Sequence, residues 1–297
     1  MRVLVTGGAG FIGHHLVRRL VADGDEVVVL DDLSRGSFER PELRGAELIA
    51  GDIREPLLCG QAVVGCDVVV HLAALSNVMG SQADPALTTA TNVSGTRSIG
   101  CAARRAGVPH LIFASSREVY GEPDRLPVRE SDPLRGKNAY GASKVAAEGV
   151  LRELGNDGPA VSVLRLTNVI GPGDYGRVVP LWMGAARAGQ PMVLYGGKQV
   201  IDFVPVTTVV DAVMRLVQSG PVSGATNVGS GTQTTLLELA SAIRGLVGGG
   251  SEIELVPARE VEVSRFQADV TRMREVLAIE PPCCPLAILE EMAAVAT

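Results

Sequence analysis

Aromatic residues are scarce in this chain: one Trp, four Tyr and five Phe among 297 residues. Stacking platforms for single-stranded nucleic acid are built from such rings, so the composition argues against that partner. No basic tract compensates. The formal net charge is −6, and Arg104-Arg105 is too short to attract a phosphate backbone or an anionic membrane. No apolar run approaches the roughly 18 residues that a membrane span needs. Cysteines are few and odd in number: Cys59, Cys66, Cys101, Cys283 and Cys284. They form no CxxC pair and no Cys/His ligand spacing, so no metal site is expected, and they read as reduced, mostly buried thiols. The N-terminal Met-Arg-Val-Leu-Val-Thr enters a strand without a charged leader, which predicts a cytoplasmic protein.

Short apolar strands alternating with helical segments fill the first half. Strands are predicted at Arg2–Thr6, Glu26–Leu30, Ala46–Ala50, Val68–Leu72, Leu111–Ala114 and Val161–Leu166. Helices are predicted over Gly10–Ala22, roughly Ala86–Ala106, and Tyr140–Leu154. Unbroken Val/Ile/Leu runs mark strands covered on both faces, and their alternation with helices implies an α/β, doubly wound parallel sheet. After Asn168 comes the breaker-rich loop Gly171-Pro-Gly-Asp-Tyr-Gly176. Beyond it lie a helix near Val179–Ala188, strands near Met192–Tyr195 and Ile253–Val256, and helices near Leu236–Leu246 and Val270–Leu277. These elements predict a first domain over 1–168 and a smaller, interleaved C-terminal lobe over 169–297. Residues 200–218 are expected to return to the first.

The turn Gly7-Gly-Ala-Gly10-Phe11-Ile12-Gly13 joins the first strand to the first helix. Gly7 permits the tight turn, Gly10 lets backbone approach a pyrophosphate, and Gly13 lets helix and strand pack closely. This is the Rossmann-type dinucleotide signature in a Gly-x-x-Gly-x-x-Gly spacing. Asp31 and Asp32 end the second strand, where a carboxylate binds the adenine-ribose hydroxyls of NAD and repels a 2′-phosphate. Arg35 leaves NADP open. Asp52, with Ile53, either meets the adenine or caps a helix. His71 reads as structural, while Leu72, Ala73 and Ala74 allow a cofactor close to the backbone.

Tyr140 and Lys144 lie four residues apart, on one face of a helix. An ammonium there is expected to lower the phenol below its usual pKa of about 10, making it a general base for an alcohol proton. Ser116, at the carboxyl end of the fifth strand, can hydrogen-bond the same hydroxyl. The set predicts oxidation of a substrate alcohol with hydride passing to a nicotinamide.

From Thr6-Gly-Gly-Ala-Gly-Phe-Ile-Gly13 through Tyr140-Gly-Ala-Ser-Lys144 to Ala268-Asp269, the chain resembles the extended short-chain dehydrogenases/reductases of the NAD-dependent epimerase/dehydratase family. The resemblance implies that Ser116, Tyr140 and Lys144 form a catalytic triad steadied by Asn92. It further implies a homodimer built on helices 86–106 and 140–154. Nucleotide-sugar 4-epimerases are similar in Asp31-Asp-Leu-Ser34-Arg35-Gly36, in Leu164-Arg-Leu-Thr-Asn168 and around Arg259. That likeness implies NAD as cofactor, a UDP-sugar as substrate, and substrate contacts from Asn168 and Arg259; a solvated surface charge is the other reading of Arg259. Where the family carries an arginine before Asp-Phe, this chain has Ile201, and Arg177 is the candidate replacement cation. Nucleotide-sugar dehydratases resemble Ser116-Arg-Glu-Val-Tyr120 but carry an aspartate where Arg117 stands. Glu118 is therefore either catalytic, or an acid that supports the site from behind or faces outward. The leading expectation is a 4-epimerase working through a transient 4-keto sugar. Dehydratase, 4-ketoreductase and a non-enzymatic NAD-binding scaffold or sensor are the alternatives.

Overall fold

Val3 and Val5 enter one hydrophobic core while Leu4, between them, enters another. The same split divides Val27 and Val29 from Val28 and Leu30. Side chains alternate across a strand, so a run apolar at every position must be covered on both faces. Truncating the fully buried Leu4 to alanine would cost about 2–5 kcal/mol.

A computed structural model describes residues 1–155, 157–248 and 250–295. Its central sheet contains β1 (Arg2–Thr6), β2 (Glu26–Asp31), β3 (Glu47–Ala50), β4 (Val68–His71), β5 (His110–Ser116), β6 (Ala160–Leu166) and an edge strand, Ala225–Val228. All seven run parallel, in the order edge strand, β6, β5, β4, β1, β2, β3. The chain reverses direction across the sheet between β1 and β4, the switch point where open α/β sheets leave a crevice. Helix α1 (Phe11–Ala22) opens at that crevice.

Several elements depart from the periodicity. Helices Pro56–Ala62 and Val78–Ala83 were not anticipated, because both are short and their polar and apolar residues show little period. The expected regular helix over 86–106 is α-helical at Pro85–Thr89, π-helical at Ala90–Gly95 and α-helical again at Thr96–Ala106. The wide turn carries Asn92, which bonds Leu75 N, Leu75 O and Ser143 Oγ.

Phe203–Pro205 pairs with Asn168–Ile170 outside the central sheet, and helix Val206–Ser219 packs on α1. The polypeptide rejoins the sheet only at Ala225–Val228. A separate core of Trp182, Met192, Leu194, Leu239 and Leu289 supports the C-terminal elements. Cys59 and Cys66 are buried, but Cys283 and Cys284 are exposed, contrary to the expectation of mostly buried thiols. Among the described residues, no helix is long and apolar enough to cross a membrane.

Candidate active site

A cleft of about 530 Å³ opens above the switch point, lined by residues of both the sheet and the C-terminal elements. At one end is the glycine turn. A Cβ on Gly7 would lie 2.8 Å from Ala73 N, and one on Gly13 would collide with Gly7 O. These are close approaches that only glycine allows. Helix α1 begins without a side-chain cap and has no acid in its first turn. Its first amides are therefore suited to an anion such as a pyrophosphate. Asp31 accepts from Ala9 N at 3.0 Å and Leu33 N at 2.8 Å, fixing its carboxylate at the end of β2. Burial raises its pKa, while those two amides oppose the shift. Asp32 is held by Ser34 N and Oγ, and Arg35 leans on Tyr175 across the cleft. Phe11, Ile12, Ile53, Leu72, Ala73 and Ala74 complete an apolar wall. These groups fit a dinucleotide: glycine backbone for the phosphates, a carboxylate for a ribose, an apolar slot for the rings.

Two residues assigned to this end stand differently. Asn92 is buried behind the cleft, joining the loop at Leu75 to the helix at Ser143, and does not line the wall. Asp52 lines the wall but is paired with Arg54 and receives Arg54 N, and its side chain caps no helix. His71 bonds Thr6 Oγ1 and Thr96 Oγ1, and full burial pushes its pKa down to about 3.

At the middle of the cleft, β5 and helix Ala139–Arg152 bring Ser116, Tyr140 and Lys144 together. Asn138 caps that helix by accepting from Gly141 N at 2.8 Å. A Cβ on Gly141 would strike Glu118 O, so glycine lets the 117–120 turn lie against the helix start. Ser116 and Tyr140 line the same stretch of the cleft, and Ser116 opposes the rise of the phenol's pKa.

The electrostatics correct one expectation. Lys144 does not lower the phenol in the protein alone. Burial pushes Tyr140 up to about 12, against the opposing pull of Ser116, Arg177 and Arg117. Lys144 Nζ donates to Ala114 O at 2.8 Å and sits 4.7 Å from the Phe113 ring centre. Burial lowers its pKa to about 7, with Glu148 resisting, so its proton is held less firmly than on an exposed lysine.

Glu118 faces inward rather than outward. Its Oε1 lies 2.9 Å from Arg117 Nη2, and its Oε2 accepts from Asn138 Nδ2 at 2.7 Å. Arg117 Nε donates to Asn168 Oδ1 at 2.5 Å. At the far end, Arg259 stacks on Tyr195, 3.6 Å from the ring centre, and pairs with Glu262, so it is an ordered wall residue. Arg177 packs over Phe11, donates to Ser76 Oγ and lies 3.7 Å from Asp174 Oδ1. It thus stands beside the glycine turn. Burial pushes Asp174 up to about 6. Ile201 is buried and apolar in the wall, while the adjacent Asp202 turns away to bind Ser230, Gly231 and Ala268. Sequence reasoning missed Ser76, Asn138, Asp174 and Tyr195. Only Asn138 carried a signal, the N-cap residue type just before a helix.

The fold and cleft define an NAD-binding α/β enzyme. Residues 3–229 match the model of the NAD-dependent epimerase/dehydratase family, and the chain belongs to that family. It is 41% identical to the UDP-glucose 4-epimerase of Mycolicibacterium smegmatis, over 95% of this chain and 94% of that one. The UDP-glucose 4-epimerase of Thermotoga maritima, solved with UDP-glucose, superposes with a TM-score of 0.94 at 31% identity, covering 100% of this chain and 99% of the other. A dTDP-glucose 4,6-dehydratase of Streptomyces venezuelae, solved with NAD, gives a TM-score of 0.93 at 32% identity over 99% and 96% of the two chains.

Proposed function

We propose that the protein is an NAD-dependent nucleotide-sugar 4-epimerase, with a UDP-sugar as substrate. The observation that carries this reading over an elimination is the state of Glu118. Both its oxygens are already engaged, one by a guanidinium and one by an amide. Held on both sides by groups of the wall, Glu118 would have to give up a partner to reach a carbon-bound proton. Ser116 and Tyr140 retain the geometry for alcohol chemistry.

In this reading the sugar's 4-hydroxyl sits at Ser116 Oγ and Tyr140 Oη. Tyr140, as the phenolate that the positive nicotinamide of bound NAD and a protonated Lys144 would favour, would take the hydroxyl proton and later return it. Ser116 donates to the same oxygen as it becomes a ketone. Lys144 biases the phenol's proton through its own. Bound NAD supplies the hydride acceptor and, once reduced, the hydride donor. Gly7, Gly10, Gly13 and Asp31 hold it. Asn168, Arg177 and Arg259 grip the nucleotide diphosphate while the keto sugar presents its other face. Small side chains on the outer helix surface at Ala142, Ala146 and Gly149 support homodimerisation through helices 96–106 and 139–152.

Incubation with NAD and UDP-glucose or UDP-GlcNAc, followed by mass spectrometry and NMR, tests the reading. Inversion at C4 with unchanged mass is expected. Loss of water would favour the dehydratase, and consumption of external reduced cofactor the ketoreductase.

A further inference from the structure

We propose that Asn138 is a positioning residue for the reaction. Through it, the segment 259–264 at the nucleotide end of the cleft sets the placement of Tyr140 and Glu118. The proposal rests on the nucleotide-sugar reading of the cleft.

Asn138 uses its whole amide. Oδ1 accepts from Gly141 N at 2.8 Å, which starts the helix bearing Tyr140 and Lys144. One Nδ2 hydrogen goes to Glu118 Oε2 at 2.7 Å and the other to Val261 O at 3.2 Å. An amide is planar and this one is 5% exposed, so moving any partner strains the other two bonds. Val261 belongs to a segment whose Arg259, Glu262 and Val263 line the cleft. That segment is clipped to the same corner twice more. Lys137 Nζ donates to Glu262 O at 2.7 Å, and Ser264 N donates to Glu122 at 2.9 Å. A diphosphate drawing on Arg259 therefore pulls on a segment tied to the N-cap residue of the catalytic helix. Capping alone needs only Oδ1. The two N–H bonds are what capping does not explain.

The test separates those parts in the NAD-loaded protein. Asn138→Ser keeps a capping oxygen and removes both N–H donors. It should lower kcat between about tenfold and a hundredfold, and weaken UDP binding about tenfold, through lost alignment. NAD affinity should stay near wild type, and Tm should fall by no more than the few degrees that two lost buried hydrogen bonds cost. Lys137→Met removes the bond to Glu262 O and the 3.5 Å pairing with Glu122, and leaves the three bonds of Asn138 in place. It should weaken UDP binding several-fold while leaving kcat within about twofold, because the helix start is untouched. UDP bound equally by the wild type and both variants would overturn the proposal. So would wild-type kcat and UDP affinity in Asn138→Ser, the mark of a cap alone, since serine keeps the capping oxygen. If Asn138→Ser does not fold, unchanged UDP affinity in Lys137→Met is sufficient to overturn it. A wild-type protein that binds NAD but no UDP would instead remove the nucleotide-sugar reading itself.

Discussion

Arg117 and Glu118 neutralise each other inside the wall of the cleft, with guanidinium Nη2 2.9 Å from carboxylate Oε1 and both residues less than a tenth exposed. Adjacent in sequence, they meet because the chain makes a tight 3₁₀ turn over Arg117–Tyr120 directly after β5. The pair removes the one acid in this stretch from service as a free base.

Substituting Glu118 should therefore separate stability from chemistry. Glu118→Gln leaves Arg117 as a buried cation without its counter-charge, a change that costs up to about 3–5 kcal/mol when no neighbour compensates. Tm should fall by several degrees. Epimerase kcat should remain within about tenfold, whereas loss of a working acid or base costs about 10²–10⁴. Thermal melts and steady-state kinetics on one preparation check both halves.

Tyr140→Phe keeps the ring and removes the proton carrier. Turnover should drop by about 10²–10⁴ while NAD affinity changes little. Equal losses in NAD affinity and turnover would mean that the hydroxyl matters mainly for cofactor binding.

Lys144 predicts an unusual pH dependence. Burial lowers its folded pKa to about 7, below the ordinary lysine value. Below 7 the lysine is protonated in both states and the folded protein bears the cost of a buried charge. Between about 7 and the unfolded value near 10.4, the unfolded chain holds the extra proton, so stability rises with pH. Lys144→Met should raise Tm clearly at pH 6, and the gain should shrink by pH 9.5. Melts of wild type and variant at both pH values measure it.

His71 predicts acid sensitivity of the same origin in a lower pH window. It is buried neutral, with its pKa pushed down to about 3. As pH falls below the unfolded value of about 6.5, the unfolded chain takes a proton that the folded site refuses, and stability is lost at about 1.4 kcal/mol per pH unit. His14 and His110, both pushed by burial to about 4, add to the slope. Urea unfolding at pH 7, 6 and 5 should show this decline, and His71→Gln should flatten it.

In the proposed reading, Asp31 selects NAD over NADP. Its carboxylate is fixed by two backbone amides at the mouth of the ribose site. Asp31→Ala should raise the NAD dissociation constant at least about tenfold and narrow the preference over NADP, since the 2′-phosphate no longer meets a negative group. Titration with each cofactor reads the ratio.

The strands and the glycine turn were legible because local rules govern them. Val3-Leu-Val5 is apolar on both faces, and the ends of Arg2–Thr6, Met192–Tyr195 and Ile253–Val256 fall where sequence puts them. The π turn at Ala90–Gly95 was not legible, since it answers to a distant demand, the bond from Asn92 to Ser143. Nor was the state of Lys144. Spacing places it beside Tyr140, but its pKa depends on how much water the fold removes around it. Arg117 and Glu118 read as two separate puzzles in the sequence, and Asn138 drew no reading at all. Their joint role needs Val261, more than a hundred residues away, which no local pattern connects to them.

The central claim is that the sugar is oxidised and reduced at C4 with no proton removed from carbon. Turnover of a UDP-hexose in deuterium oxide, with the product resolved by mass spectrometry and NMR, tests it most directly. The account predicts a C4-inverted product of unchanged mass with no deuterium on carbon. A product lacking water, or one carrying solvent deuterium at C5, would contradict it.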